Sequence, residues 1–409
     1  MNVELQINNS TDPKSRYLSW VPSPCRIRVT NPAGTSSATV NIRLSGTSTA
    51  GGGRVRFRKS NSASFTNTVT LQVPTNGASV PFFAAGRFGA PSRVDGDVRI
   101  NARQGNTLIE SVPVMVRVRK NANKLTPGER DRLVAAFAQL NNQGMGRFAD
   151  FRDMHTRLSS AQAHGAKGFL PWHRAYLLDL ERELQNIDPS VALPYWRFDQ
   201  AAPNLFTPDF FGVSDQLGTV SFSATNPLQF WTTDGVQGIN RRPFFNTANA
   251  PGGLRTEAQT FALGTAYPDF LEMEIDPHGS AHVSFGGSIS SVPTAAKDPL
   301  FFLLHCNVDR LWAKWQWAFR RHDPAAARSF ALGSVAPGHR IGDRLWPWSG
   351  PLAAPRPTTA PGGGLTASPM TDAPGISPRV RDTIDYLGTL SERHLGFAYD
   401  DVPFQAGGL

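Results

Sequence analysis

The sequence predicts a multidomain α+β chain: an antiparallel, immunoglobulin-like β-sandwich over residues 1–122, then a mainly α-helical domain, built as a four-helix bundle, over 123–409. Three observations lead there. Short runs of alternating apolar and polar residues recur between turn residues up to about residue 120. The composition changes at Leu125-Thr-Pro-Gly-Glu129, and beyond that point the longer apolar runs follow a helical period. A chain of 409 residues with 40% hydrophobic content is long enough for two cores of ordinary size.

The strands are read from CRIRVTN, ATVNIRLS, RVRFRKS, TVTLQVP, DVRINAR and SVPVMVRVR. Polar residues alternating with Ile, Val and Leu suit strands with one buried and one wet face, which antiparallel sheets permit. Evenly spaced short strands with turn residues between them suggest a sandwich. Its position and its exposed aromatic run Pro81-Phe-Phe83 suggest a shielding or binding role.

The helices follow from their start signals. Thr126 can cap a helix with Pro127 at its first position, and Glu129 completes a Thr-x-x-Glu capping box. Further helices are expected near 147–160, 171–187 and 299–321, the last with Asp298 as N-cap and Pro299 next. Residues 199–265 read as mostly irregular. From 323 to about 376 Pro, Ala and Gly are dense, centred on WPWSGPLAAPRPTTAPGGG, and an extended, irregular segment is expected. A helical pattern returns in SPRVRDTIDYLGTLSERHLGFAYDD.

Composition excludes several classes. No run of 18 or more apolar residues occurs and the first residues lack a signal-like apolar stretch, so no membrane association is expected. The chain reads as cytoplasmic, or exported by a non-classical route. Two cysteines, Cys25 and Cys306, give no disulfide framework. The formal charge of +9 comes from arginines scattered along the chain without a basic run, and no nucleic-acid motif is present.

Histidines carry the main functional signal. Of nine, six form two groups: His155, His164 and His173, then His278, His282 and His305. His278 and His282, four apart, share one face of a helix and can share a metal. His305 lies in a strongly apolar helix, where an imidazole is costly without a partner. Nine residues would place His155 and His164 on opposite sides of a continuous helix, but Gly165, Gly168 and Pro171 break it, so His164 belongs in a loop. His173 opens the helix WHRAYLLDLERELQ, whose apolar face aims the ring inward. Copper accepts imidazole readily. No carboxylate joins either group and no His-Glu-x-x-His occurs, which argues against a zinc hydrolase. His322, His339 and His394 lie in polar or irregular stretches and read as surface residues.

Two long motifs carry a family resemblance. His164-Gly-Ala-Lys-Gly-Phe-Leu-Pro-Trp-His173-Arg with Glu181 resembles the first copper signature of the tyrosinases. Asp298-Pro-Leu-Phe-Phe-Leu-Leu-His305-Cys-Asn-Val-Asp309-Arg-Leu-Trp, preceded by His278-Gly-Ser-Ala-His282 and Gly286-Gly287, is similar to the second. LPYWRFD at 193–199 and Phe397-Ala-Tyr399 extend the similarity over roughly 125–400. The chain thus resembles the tyrosinase and catechol oxidase (polyphenol oxidase) family of type 3 dicopper proteins.

The resemblance implies two copper ions, one per histidine group, and oxidation of o-diphenols to o-quinones with dioxygen. The substrate would be a phenolic small molecule, with monophenols and o-aminophenols also admissible. A hemocyanin-like dioxygen carrier would use the same six histidines without turnover. Glu274 matches the family's glutamate that holds a water near copper and would be the base for monophenols. The asparagine that usually follows the first histidine of this pair is Gly279 here, which favours diphenol oxidation. Leu304 replaces a histidine found in many relatives, and Gln162 replaces a thioether-forming cysteine. Val292 is the candidate gate of the substrate mouth, and Asp309 is expected to orient Arg310 or a ligand histidine.

Overall fold

The computed structural model describes residues 1–32, 38–143, 146–155, 160–333, 336–348 and 363–404. The chain divides into two compact units. The first is Met1–Val118 with Ser368–Asp372 and Gly396–Phe404; the second comprises Arg119–Ala367 and Ala373–Leu395.

Among the described residues the first unit contains nine strands: β1 (Val3–Ile7), β2 (Tyr17–Leu18), β3 (Ser23–Val29), β4 (Thr39–Ser48), β5 (Val55–Arg58), β6 (Thr68–Pro74), β7 (Val80–Gly86), β8 (Val98–Gln104) and β9 (Thr107–Val116). They form a four-stranded sheet, β1-β3-β7-β5, and a five-stranded sheet, β2-β9-β8-β4-β6. Alternate residues point to opposite faces, so Cys25, Ile27, Phe57 and Phe82 of one sheet and Ile42, Leu44, Ile100 and Val114 of the other are buried. Trp20, fully buried, donates its indole N–H to the Tyr399 carbonyl at 2.8 Å.

This is not the antiparallel immunoglobulin-like sandwich expected. Strand β2 runs parallel to β9, so the five-stranded sheet is mixed and not antiparallel throughout. β7 reads Val-Pro-Phe-Phe-Ala-Ala-Gly, which lacks the alternation that betrays a half-buried strand. Of the run Pro81-Phe-Phe83, Phe82 is buried and Phe83 half-buried.

The second unit is not a four-helix bundle either. Its helices are α1 (Pro127–Ala138), α2 (Phe148–Met154), α3 (Ser160–Ala163), α4 (Phe169–Ile187), α5 (Glu257–Phe261), α6 (Tyr267–Phe270), α7 (Ser280–Val283) and α8 (Leu300–Phe319). Among the described residues only α1, α4 and α8 exceed seven residues. The other described residues form short turns, two- or three-residue ribbons and irregular segments, because Pro and Gly interrupt the helical periods. The capping box forms as expected, with Thr126 accepting from the Glu129 N–H and Glu129 from the Thr126 N–H. Asp298 accepts the Leu300 N–H at 2.9 Å at the start of α8.

The helix expected over 147–160 ends at Met154; residues 156–159 lie outside the described residues, as does most of the Pro- and Gly-rich centre, 349–362. The helical pattern after residue 376 yields a single 3-10 turn, Val380–Thr383. Among the described residues no helix is long and apolar enough to cross a membrane.

Two elements position the site. The α4 and α8 helices are pinned together by buried ion pairs: Arg174 Nε donates to Asp309 at 2.6 Å, and Arg119 donates to Glu181 at 2.8 Å and to Asp309 at 3.1 Å. Arg174 follows His173 directly and Asp309 lies one turn beyond His305. The clamp therefore fixes the approach of the two histidines, whose rings stack with centroids 4.2 Å apart.

Candidate metal centre

The six histidines arrive from several local structures. His155 ends α2 with a non-helical backbone (φ −90°, ψ 38°). His164 follows α3 in a loop turned by Gly165, whose φ is +70°. Gly168 is the N-cap of α4, and a Cβ there would meet His339 Nδ1 at 2.8 Å. Asp276 (φ −144°, ψ 121°) breaks the chain between a 3-10 turn at Leu271–Glu274 and the helical stretch bearing His278 and His282. The structure brings His155, His164 and His173 together, and separately His278, His282 and His305, with nitrogens in each group within 4.8 Å of one another.

Backbone carbonyls fix the orientation of four rings. His155 Nδ1 donates to Val292 O at 3.1 Å, His173 Nδ1 to Phe169 O at 2.9 Å, His278 Nδ1 to Glu274 O at 2.7 Å and His282 Nδ1 to Ile289 O at 2.7 Å. A carbonyl only accepts, so in these neutral rings Nδ1 carries the proton and Nε2 keeps its lone pair. The Nε2 atoms of His155 and His173 are buried without a partner. Those of His278 and His282 face His305 Nε2 at 3.3 and 3.0 Å. Such orphaned lone pairs, with Nδ1 anchored, are what a metal requires of histidine.

Burial depresses all six imidazoles. His155 falls to about 3, His164 to about 2 and His282 to about 4, while His173, His278 and His305 lie well below the usual range. Desolvation leads in every case. The rings are neutral at physiological pH and available as ligands. Phe169 and Phe301, each one turn before His173 and His305, wall the site at 4.7 and 4.2 Å between centroids.

The other candidates surround this core. Glu274 Oε1 accepts the Gly165 N–H at 2.6 Å, and burial pushes its carboxyl up to about 7. Gly279 is half-buried, and Val292 is 43% exposed while its carbonyl holds His155. Asp309 pairs with Arg119 and Arg174, and Arg310 meets Glu257. Gln162 binds the Gly338 and Arg344 carbonyls and the Trp346 N–H.

Sequence reasoning missed Arg119, Arg174, Phe169 and Phe301, although the last three stand one or four residues from a candidate ligand. It also misplaced three histidines: His322, His339 and His394 are all buried. His339 accepts the Gly168 N–H at 2.9 Å and so helps begin α4.

Paired, buried histidine triads joined across two helices define a dinuclear metal protein. Comparison with known proteins agrees: residues 145–318 match the common central domain of tyrosinase. The chain is 33% identical over 265 residues to a tyrosinase of Streptomyces glaucescens, covering 57% of this chain and 92% of that one. It is 32% identical over 236 residues to a tyrosinase of Streptomyces antibioticus, covering 50% and 84%. Deoxygenated hemocyanin from Rapana thomasiana is similar in structure, with TM-score 0.49, 26% identity and 70% of each chain covered.

The chain belongs to the tyrosinase family. It is a copper oxidoreductase by kinship, and its cofactor is a pair of copper ions.

Proposed function

We propose that the chain oxidises o-diphenols to o-quinones with dioxygen, His155, His164 and His173 holding one copper and His278, His282 and His305 the other. The inward-facing Nε2 lone pairs carry this reading, since buried neutral imidazoles without a carboxylate suit copper better than a hard cation. When bound, the copper pair supplies the electron transfer to dioxygen that no side chain can perform. Two catechols together release four electrons and four protons, which convert one dioxygen to two waters.

The protein's own residues supply placement. Phe169 and Phe301 keep the rings dry and in position. Val292, at the solvent edge and fixed through its carbonyl to His155, is placed to gate an entering phenol. Glu274, held by the Gly165 N–H, is the group to accept a phenolic proton. Gly279 offers no side chain to orient a water beside it, which supports diphenols over monophenols as substrates.

Oxygen uptake and quinone absorbance, followed together on the copper-loaded chain with a catechol, test this reading. Two quinones per dioxygen are expected. Reversible oxygen binding without quinone would replace the oxidase with a hemocyanin-like carrier.

A further inference from the structure

Fourteen Lys and Arg against five Asp and Glu lie within residues 1–118, so the whole formal excess of +9 resides there. The fold concentrates it further. The registers Arg58↔Phe83, Arg56↔Ala85 and Arg26↔Pro81 place Arg26, Arg28, Arg56 and Arg58 on one face of the four-stranded sheet, opposite its buried side. Arg54 and Arg87, joined through Arg87 N–H to Arg54 O at 2.7 Å, extend that face beyond the ends of β5 and β7. Arg28 is paired with Glu4 at 2.9 Å. Among the described residues Arg26, Arg54, Arg56 and Arg87 have no carboxylate partner.

Like charges brought together so closely are unfavourable unless an anion relieves them. The Arg56 Nε is buried and unpaired, and both burial and the charges of Arg58 and Arg87 bear on its guanidinium. The groups are also preorganised. Arg56 lies 4.1 Å over the Phe65 ring, and Arg58 lies 5.0 Å from Phe65 and 5.2 Å from Phe83.

We propose that this face binds an acidic peptide segment in extended conformation, its carboxylates paired with the arginine row. Charge complementarity is one argument: guanidinium forks recognise carboxylates bidentately. Spacing is the other. Arg54 and Arg56 stand two residues apart, roughly 6.8 Å, and an extended peptide with an acid at every second position repeats at the same interval; Arg58, next along the strand, is buried and donates to Asn61 at 2.7 Å. Single-stranded nucleic acid fits less well, because the aromatic faces on which bases would stack are covered by guanidinium groups.

The test uses the full chain and a fluorescein-labelled 12-residue peptide alternating aspartate and serine, read by anisotropy at about 0.15 M salt, where exposed charges are already screened. The exposed pair Arg54→Ser/Arg87→Ser should weaken binding at least tenfold. A charge-matched control on the other sheet, Arg43→Ser/Arg103→Ser, should change it less than twofold. No peptide binding, equal loss in both variants, or tighter binding of single-stranded DNA, polygalacturonate or phosphatidylserine vesicles would overturn the proposal.

Discussion

At Gly279 the backbone is helical (φ −59°) and an added Cβ would meet only Glu274 O at 3.5 Å, an ordinary contact. Gly279→Asn is therefore accommodated and would place an amide beside Glu274. The ratio of monophenol hydroxylation to diphenol oxidation should rise about tenfold, a fraction of the ~10²–10⁴ a positioned proton acceptor contributes. Paired assays on tyramine and dopamine check it, and an unchanged ratio would count against the water-orienting argument. His322 gives a pH prediction. Burial pushes its pKa down to about 4, against the raising influence of Asp385 and with a further lowering by Arg174. Below the unfolded value near 6.5 the unfolded chain takes a proton that the folded chain refuses until about pH 4. Stability is therefore lost as pH falls through that window, at about 1.4 kcal/mol per unit. In His322→Gln the stability difference between pH 7 and pH 5, from urea unfolding, should shrink by about 2 kcal/mol; an unaltered difference would refute the assignment.

Among the elements, α4 and α8 carry the account. The Arg174–Asp309–Arg119–Glu181 cluster is essentially inaccessible to water, so removing one member leaves an uncompensated buried charge. Asp309→Ala should cost about 3–5 kcal/mol. Glu4→Gln, which breaks the half-exposed pair with Arg28, should cost under about 1 kcal/mol. Urea unfolding of the two variants separates the cases, and equal losses would mean that the cluster does not clamp the helices. These helices were legible because their apolar runs are long and their starts are marked, as was α1 from Thr126 and Glu129. The stretch after residue 376 has a helical period too, but Gly388 adopts a φ of +63° and the chain turns back there. In the first unit six strands showed in the alternation; β1 was passed over although Val3, Leu5 and Ile7 alternate, β2 is two residues long and β7 is apolar without alternating.

For the whole molecule, the six candidate ligands stood out because their types and spacing are written in the chain, each near a helix signal. What holds them was not legible. Four carbonyls fix the Nδ1 atoms, and those of Val292 and Ile289 come from the segment after Gly287, whose path no side-chain pattern announces. Burial of His322, His339 and His394 likewise arises where irregular segments pack, and irregular sequence carries no period from which burial can be read. The sheet order, with β2 parallel to β9, depends on long-range pairing. The arginine face was hidden for a related reason: its members are scattered in sequence, and only strand register gathers them.

Copper content of the purified chain, measured beside two variants that each lose part of one triad, decides whether each triad holds its own ion. Two ions per chain are expected, falling to one in His164→Ala/His173→Ala and to one in His278→Ala/His282→Ala. Two ions retained in either variant, or a single ion in the unaltered chain, would contradict a separate copper site in each triad.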